Sequence, residues 1–173
     1  MSSNIGRSSN KYLVVALIFL VLITILTRFY GNNDVYDYTD TAKFFAGKYA
    51  AKIRSSHSFL YGFIHTPFVW LMENYFVFKI TGLIFLFLII YSVYFISGKD
   101  KRTLWLFSFS PIVWYIAPWI SPIHLSSFLF LWGYYFLQKY DLNNRLKFLF
   151  CSAILIGLSW AFWDGALFFI PLL

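Results

Sequence analysis

Charge is what this chain lacks most. Asp, Glu, Lys and Arg together make up 12% of its 173 residues, about half the ~25% usual in soluble domains. A chain so poor in charge cannot coat a soluble globule. Cysteine is nearly absent as well. Cys151 is the only one, so no intrachain disulfide can form and a paired-cysteine metal centre is excluded. Lying inside an apolar run, it reads as a small hydrophobe. The three histidines, His57, His65 and His124, show no metal-ligand spacing. The alternation of polar and apolar residues that a transmembrane barrel needs is missing, and there is no internal repeat. Lys and Arg outnumber Asp and Glu 14 to 7. They sit at the ends of apolar runs, where they report membrane orientation, and no nucleic-acid partner is expected.

What is present is apolar surface: 60% of residues are hydrophobic and 24% aromatic. Apolar runs occupy residues 13–26, 75–96, 103–117, 123–137 and 146–163, several near the ~20 residues that a helical span needs. The expected fold class is all-α. The chain reads as a polytopic helical membrane protein with about five transmembrane helices, one membrane domain over residues 1–173 and an extracytoplasmic loop at 30–74. The first run lacks a small-residue cleavage pattern and exits through Arg28, so it reads as a retained anchor.

The charges order these runs. With the N-terminus cytoplasmic, the later inside loops hold Lys99, Lys101 and Arg102, then Lys139, Arg145 and Lys147, as positive loops should. The outer segments then hold Asp34, Asp37, Asp40, Glu73 and Asp164, five of the seven acids. The expected location is an integral membrane, of the plasma or endoplasmic-reticulum type. In the first loop, Thr39 or Asp40 is suited to cap a helix. Ala42, Phe45, Ala46, Tyr49 and Ile53 then recur at helical spacing, with Lys43, Lys48 and Lys52 on other faces. That pattern predicts an interfacial amphipathic helix. Residues 59–72 are apolar but short and contain His65-Thr66-Pro67, a re-entrant or interfacial segment. Pro111, Pro118 and Pro122 predict a bent hairpin between the third and fourth spans.

The chemistry-bearing residues cluster in that first loop. Asp34, Asp37 and Asp40 stand at i, i+3, i+6. Such oxygen ligands suit a divalent cation such as Mg²⁺ or Mn²⁺, with further ligands from a substrate phosphate. One carboxylate beside a hydroxyl could instead take its proton during group transfer; a helix cap and a solvated loop would use the same residues. Lys43, Lys48, Lys52 and Arg54 could grip a phosphate-bearing lipid or anionic head groups in general. His65, and Asp164 among tryptophans in Trp160-Ala-Phe-Trp-Asp-Gly165, are candidate substrate contacts.

Three segments resemble a known family. The stretch Asp37-Tyr-Thr-Asp-Thr-Ala-Lys-Phe-Phe-Ala-Gly47 looks like the first-loop motif of multi-spanning C-superfamily glycosyltransferases. Closest are the mannosyltransferases that use a polyprenyl-phosphate sugar. The Thr-Pro segment at 61–71 and the Pro-rich hairpin at 110–126 resemble the parts that follow it. The resemblance implies transfer of a sugar from that donor to an acceptor hydroxyl at the outer face. It also implies Asp37 or Asp40 as catalytic base, Asp34 as a supporting or metal-associated acid, and Lys43, Lys48, Lys52 and Arg54 at the donor phosphate. Members of that family have eight or more spans, so the expectation is the N-terminal half of such an enzyme or a module completed by a partner subunit. The alternative expectations are a non-catalytic partner or scaffold subunit and a transporter of lipid-linked substrates.

Overall fold

In a computed structural model, residues 3–27, 35–48, 59–69 and 75–163 are described. They form helices α1 (Ser3–Leu26), α2 (Val35–Phe45), α3 (Phe59–Val69), α4 (Phe76–Ile96), α5 (Lys101–Ser108), α6 (Pro111–Ile116), α7 (Ile123–Asn143) and α8 (Leu146–Phe162), with no strand among the described residues. The all-α expectation is met. Among the described residues α4 is the one helix long and apolar enough to cross a membrane. The apolar stretches Leu13–Leu26, Phe59–Val69 and Leu146–Phe162 are shorter.

Helix α4 is the hub and touches α1, α3, α5 and α7. Its first turns join a core with Val35, Tyr38, Ala42, Tyr61, Ile120 and Leu125 through Phe78. Its second half joins Leu20, Val113 and Ala117 through Leu86 and Ile90. Side-chain pairs give the helix directions. Lys79, early in α4, reaches the carbonyls of Thr24 and Thr27 at the end of α1, so α1 and α4 are antiparallel. The Trp132 indole donates to Ser92 Oγ at 2.8 Å, and Phe95 stacks on Trp132 at 5.9 Å, so α4 and α7 run parallel. Ser126 and Ser159 exchange hydrogen bonds at 2.9 Å, and Phe136 stacks on Phe148 at 6.2 Å, so α7 and α8 form an antiparallel hairpin. Asn144, left-handed at φ 50°, ends α7 and lets the chain reverse.

These directions collect the end of α1, the starts of α4 and α7 and the end of α8 at one pole of the bundle. Helices α2 and α3 pack there. The basic loops carrying Lys99, Lys101, Arg102, Arg145 and Lys147 lie at the other pole, beyond the end of α4 and between α7 and α8.

Three expectations are corrected. The third apolar run, residues 103–117, is not one helix: it breaks at Phe109-Ser110 into α5 and α6. Pro111 is the cause, because proline forces the residue before it out of the helical region, and Ser110 is extended at φ −66°, ψ 125°. The loop helix starts earlier than its expected cap, so Thr39 and Asp40 lie inside α2, where Thr39 Oγ donates back to the Tyr36 carbonyl at 3.1 Å. It also ends earlier. Gly47 at φ +84° closes it, with Gly47 N–H to Phe44 O at 3.0 Å and Lys48 N–H to Lys43 O at 2.9 Å. This 5-and-3 pair of bonds is the Schellman ending that glycine favours.

Lys79 is 4% exposed and lies inside the bundle. Its ammonium donates to Thr24 O at 3.0 Å and to Thr27 O. These are terminal carbonyls of α1, which carry the negative end of the helix dipole. Replacing Lys79 with Met keeps the packing and strands the carbonyls. The expected outcome is a loss of about 1–3 kcal/mol, read as a lower unfolding midpoint in detergent, with Lys79→Arg falling less. An unchanged midpoint for Lys79→Met would remove the clamp from the account.

Candidate functional site

Five of the sequence-predicted residues are described, and they lie at the pole that holds α2 and α3: Asp37, Asp40 and Lys43 on α2, Lys48 just after it and His65 on α3. Helix α2 is two-sided. Val35, Tyr38, Thr39, Thr41 and Ala42 are buried, while Asp37, Asp40 and Lys43 are half-buried. At about 100° per residue these three fan along the side away from the buried stripe. Asp37 and Asp40 are one turn apart, as are Asp40 and Lys43. Asp37 also sits in the first turn, where the helix dipole favours a carboxylate. Lys48 follows the Gly47 turn and is half-buried. Asp34, Lys52, Arg54 and Asp164 fall outside the described residues.

The acid-bearing face is held in place by tight packing behind it. Tyr38 meets Tyr61 edge-on at 5.3 Å, and Phe45 meets Phe59 and Phe63 edge-on at 5.1 and 5.2 Å. Such pairs contribute about 0.5–1.5 kcal/mol beyond their burial. Gly62 permits this approach, since a Cβ there would lie 2.7 Å from Thr41 Cβ and 2.9 Å from the Tyr38 carbonyl.

His65 ties α3 to α4. It is 1% exposed, and its ring stacks on Phe78 at 4.3 Å. Nδ1 lies 2.6 Å from the Tyr61 carbonyl and Nε2 lies 2.6 Å from Thr81 Oγ. A carbonyl only accepts, so Nδ1 carries the proton, and the neutral ring takes the Thr81 hydroxyl proton at Nε2. Thr81 Oγ is also 3.0 Å from the Phe78 carbonyl, so the hydroxyl has a second acceptor if Nε2 becomes protonated. The structure thus places His65 inside the protein with both nitrogens engaged. At 11 residues, α3 is about 16 Å long against the ~30 Å of a hydrocarbon core and does not span it. Burial pushes the His65 imidazole down to about 4, against a smaller upward pull from the Tyr61 carbonyl. Burial likewise raises the Tyr61 phenol, with the neighbouring Tyr38 adding to it, so Tyr61 stays a neutral donor.

Sequence reasoning missed three groups at this pole. Thr81 is the partner of His65. Tyr61 presents a buried hydroxyl without a hydrogen-bond partner among the described residues. His124 is 2% exposed at the start of α7. A histidine two residues after Pro122 was the one signal available for the last.

Among the described residues no three His, Cys, Asp or Glu side chains gather to hold a metal ion. Asp37 and Asp40 alone are fewer oxygen ligands than a divalent ion takes. They fit a group that shares its metal with a substrate phosphate, or a base that uses no metal. Comparison with family models, curated proteins and solved structures finds no match for this chain.

Two outcomes test this packing. Gly62→Val is expected to lower stability by about 1–3 kcal/mol, as overpacking does, read as a lower unfolding midpoint in detergent. The His65 effect has a definite sign. Its folded value near 4 lies below the ordinary 6.5, so between these the unfolded chain binds the extra proton. Stability is then fully present above about pH 6.5 and declines as pH falls toward 4. Unfolding midpoints measured across that range should fall in wild type and fall less steeply in His65→Asn.

Proposed function

We propose that the protein is a polytopic membrane module, N-terminus cytoplasmic, that transfers a sugar from a polyprenyl-phosphate donor to an acceptor hydroxyl at the outer face. The observation that carries this reading is the gathering of Lys99, Lys101, Arg102, Arg145 and Lys147 at one pole of the bundle, opposite the pole that bears Asp37 and Asp40. One pole bears the packed α2–α3 pair, with Asp37, Asp40 and Lys43 on the side of α2 away from its buried stripe, and the other bears the basic residues. A helical bundle with positive loops at one end follows the inside rule. The broken α5–α6 segment crosses between the poles beside α1 and α4, with Phe19 stacked on Trp114 at 6.4 Å. That irregular crossing suits a membrane only where it is packed on protein.

In this reading the donor lies at the acidic pole with its sugar between Asp37 or Asp40 and the acceptor. The carboxylate takes the acceptor hydroxyl proton as the new glycosidic bond forms, and the lipid phosphate leaves with the electrons of the old bond. Lys43 and Lys48 lie on or just beyond the same helix and neutralise the departing phosphate. Asp34, Lys52 and Arg54 are assigned to the same loop by sequence alone. A divalent ion, where one is used, adds charge neutralisation at the phosphate.

The exposed apolar face of α8, with Phe150, Ile154, Leu158 and Trp160, favours a second reading as a non-catalytic subunit in a larger membrane complex. Asparagine substitutions separate the two. Asp37→Asn or Asp40→Asn should cut transfer by roughly 100-fold or more, the scale of a general base, assayed in native membranes supplied with a polyprenyl-phosphate sugar. If both variants transfer at the wild-type rate, the base assignment is lost and the subunit reading stands.

A further inference from the structure

Helix α5 packs on α1 and α4, and α7 packs on α4 and α8. Between α5 and α7 lies a cavity of about 340 Å³, lined by Ile89 and Val93 of α4, Phe107 of α5, and Phe130 and Leu131 of α7. That volume is at the small end of the ~300–1,000 Å³ of ligand pockets. The serines in the lining offer a ligand little. Ser126 and Ser159 are buried and hold each other's hydroxyls and carbonyls at 2.9 Å. A water needs about two to four polar partners, and an apolar cavity stays dry. Left empty, it would cost its walls their dispersion contacts on one side. Such a lining selects hydrocarbon.

Charge at one end of the cavity says which hydrocarbon. Each of the three helices leads from the cavity to a base at the same pole. Val93 precedes Lys99, Phe107 follows Lys101 and Arg102, and Tyr134, also in the lining, precedes Lys139. The five residues from Arg102 to Phe107, or from Tyr134 to Lys139, are about 8 Å of helix. Lys99, Lys101 and Arg102 are exposed, and Lys139 stands over the Tyr135 ring at 5.4 Å. Lys99, Lys101, Arg102, Lys139, Arg145 and Lys147 face only two acids in this part of the chain, Asp100 and Asp141. Asp100 is the cap of α5 and accepts from Arg102 N–H at 2.8 Å. Basic recesses between membrane helices on the cytoplasmic side take anionic head groups.

We propose that the cavity between α4, α5 and α7 binds one acyl chain of an anionic phospholipid, whose phosphate is held by Lys99, Lys101 and Arg102. The site rests on the membrane placement with the basic pole cytoplasmic, and not on glycosyl transfer. The sugar donor belongs at the opposite pole, so this lipid is a different molecule. Its chain completes the packing of α5 against α7.

The test uses the full chain in detergent with a phosphatidylglycerol that carries a photoreactive diazirine in one acyl chain. Irradiation is expected to label Phe107, Phe130, Leu131 or Tyr134, read by peptide mass spectrometry. Unlabelled phosphatidylglycerol should compete better than phosphatidylcholine of the same chains by roughly fivefold or more, the effect of one Lys or Arg at a membrane surface. Val93→Phe fills the cavity from α4 and Ser127→Leu from α7, and either should reduce this labelling to background. Lys101→Gln with Arg102→Gln should bring phosphatidylglycerol down to the level of phosphatidylcholine. If one filled variant folds poorly, the other and the wild-type competition still decide. Equal labelling in wild type and a folded filled variant means annular lipid only and overturns the site. Equal competition by phosphatidylcholine overturns the anionic assignment, and stronger competition by a polyprenyl phosphate gives the cavity to that lipid instead. A protein that fails these tests yet stays in carbonate-washed membranes loses the lipid site and keeps its membrane placement.

Discussion

The ammonium of Lys79 on the last carbonyls of α1 is the contact from which the rest of the arrangement follows. A helix end in a greasy setting has carbonyls that no later turn can satisfy, and an amine buried at 4% exposure needs acceptors. Each defect repairs the other through bonds to Thr24 and Thr27. Because the partners are 55 and 52 residues apart in sequence, the pairing sets the antiparallel register of α1 on α4. It also sets the point from which the acidic loop departs. Thr24 is itself fully buried and donates back to Leu20 at 2.8 Å, so the clamped end of α1 is polar on the inside.

Polarity is graded along α4 in consequence. Its early turns carry Lys79, Thr81 and Gly82 against α1, α3 and α7. Below them Leu83, Leu86, Ile89 and Ile90 are buried and carry no side-chain hydrogen-bonding group. Ser92 returns one polar contact, to Trp132, at the far end. Interhelical hydrogen bonds are the specific adhesive between helices where apolar surface gives no discrimination. Leucine and isoleucine would let α4 slide on its neighbours; Lys79, His65 and Trp132 do not.

Much of the large-scale plan was legible because it depends on composition. Helical class follows from apolar run length, and the positions of Lys99–Arg102 and Arg145–Lys147 mark the loops that the structure collects at one pole. Local punctuation was read less well. Gly47 is a sufficient stop signal for α2, yet the periodicity through Tyr49 and Ile53 outweighed it. Thr39 and Asp40 have the chemistry of a cap, but Tyr38, Thr39, Thr41 and Ala42 form a stripe that α3 buries, and that packing moved the helix start back to Val35. Ser110-Pro111 breaks the third run earlier than Pro118 because the restriction acts on the residue before proline. The buried pairs were not legible at all. His65 with Thr81, Lys79 with Thr24 and His124 beside Gly82 join residues 16, 55 and 42 positions apart, and nothing in their local sequence names the partner.

The acidic residues then acquire a meaning beyond spacing. Asp37 and Asp40 could lie on a loose loop, where their carboxylates would sample many positions and serve poorly as a base, since positioning a reacting group contributes much of the rate. Here the helix that bears them is fastened from behind by Tyr38, Ala42 and Phe45 on α3. In turn α3 is fastened to α4 by His65, and α4 to α1 by Lys79. Tyr38, Ala42, His65 and Lys79 in that chain are buried, and its last element, α2, carries Asp37 and Asp40 on the side away from α3. An arrangement that needed the acids for solubility alone would not require such backing, because a solvated carboxylate is indifferent to its orientation. The rigidity behind α2 is the physical reason to treat Asp37 and Asp40 as positioned groups and not as surface charge.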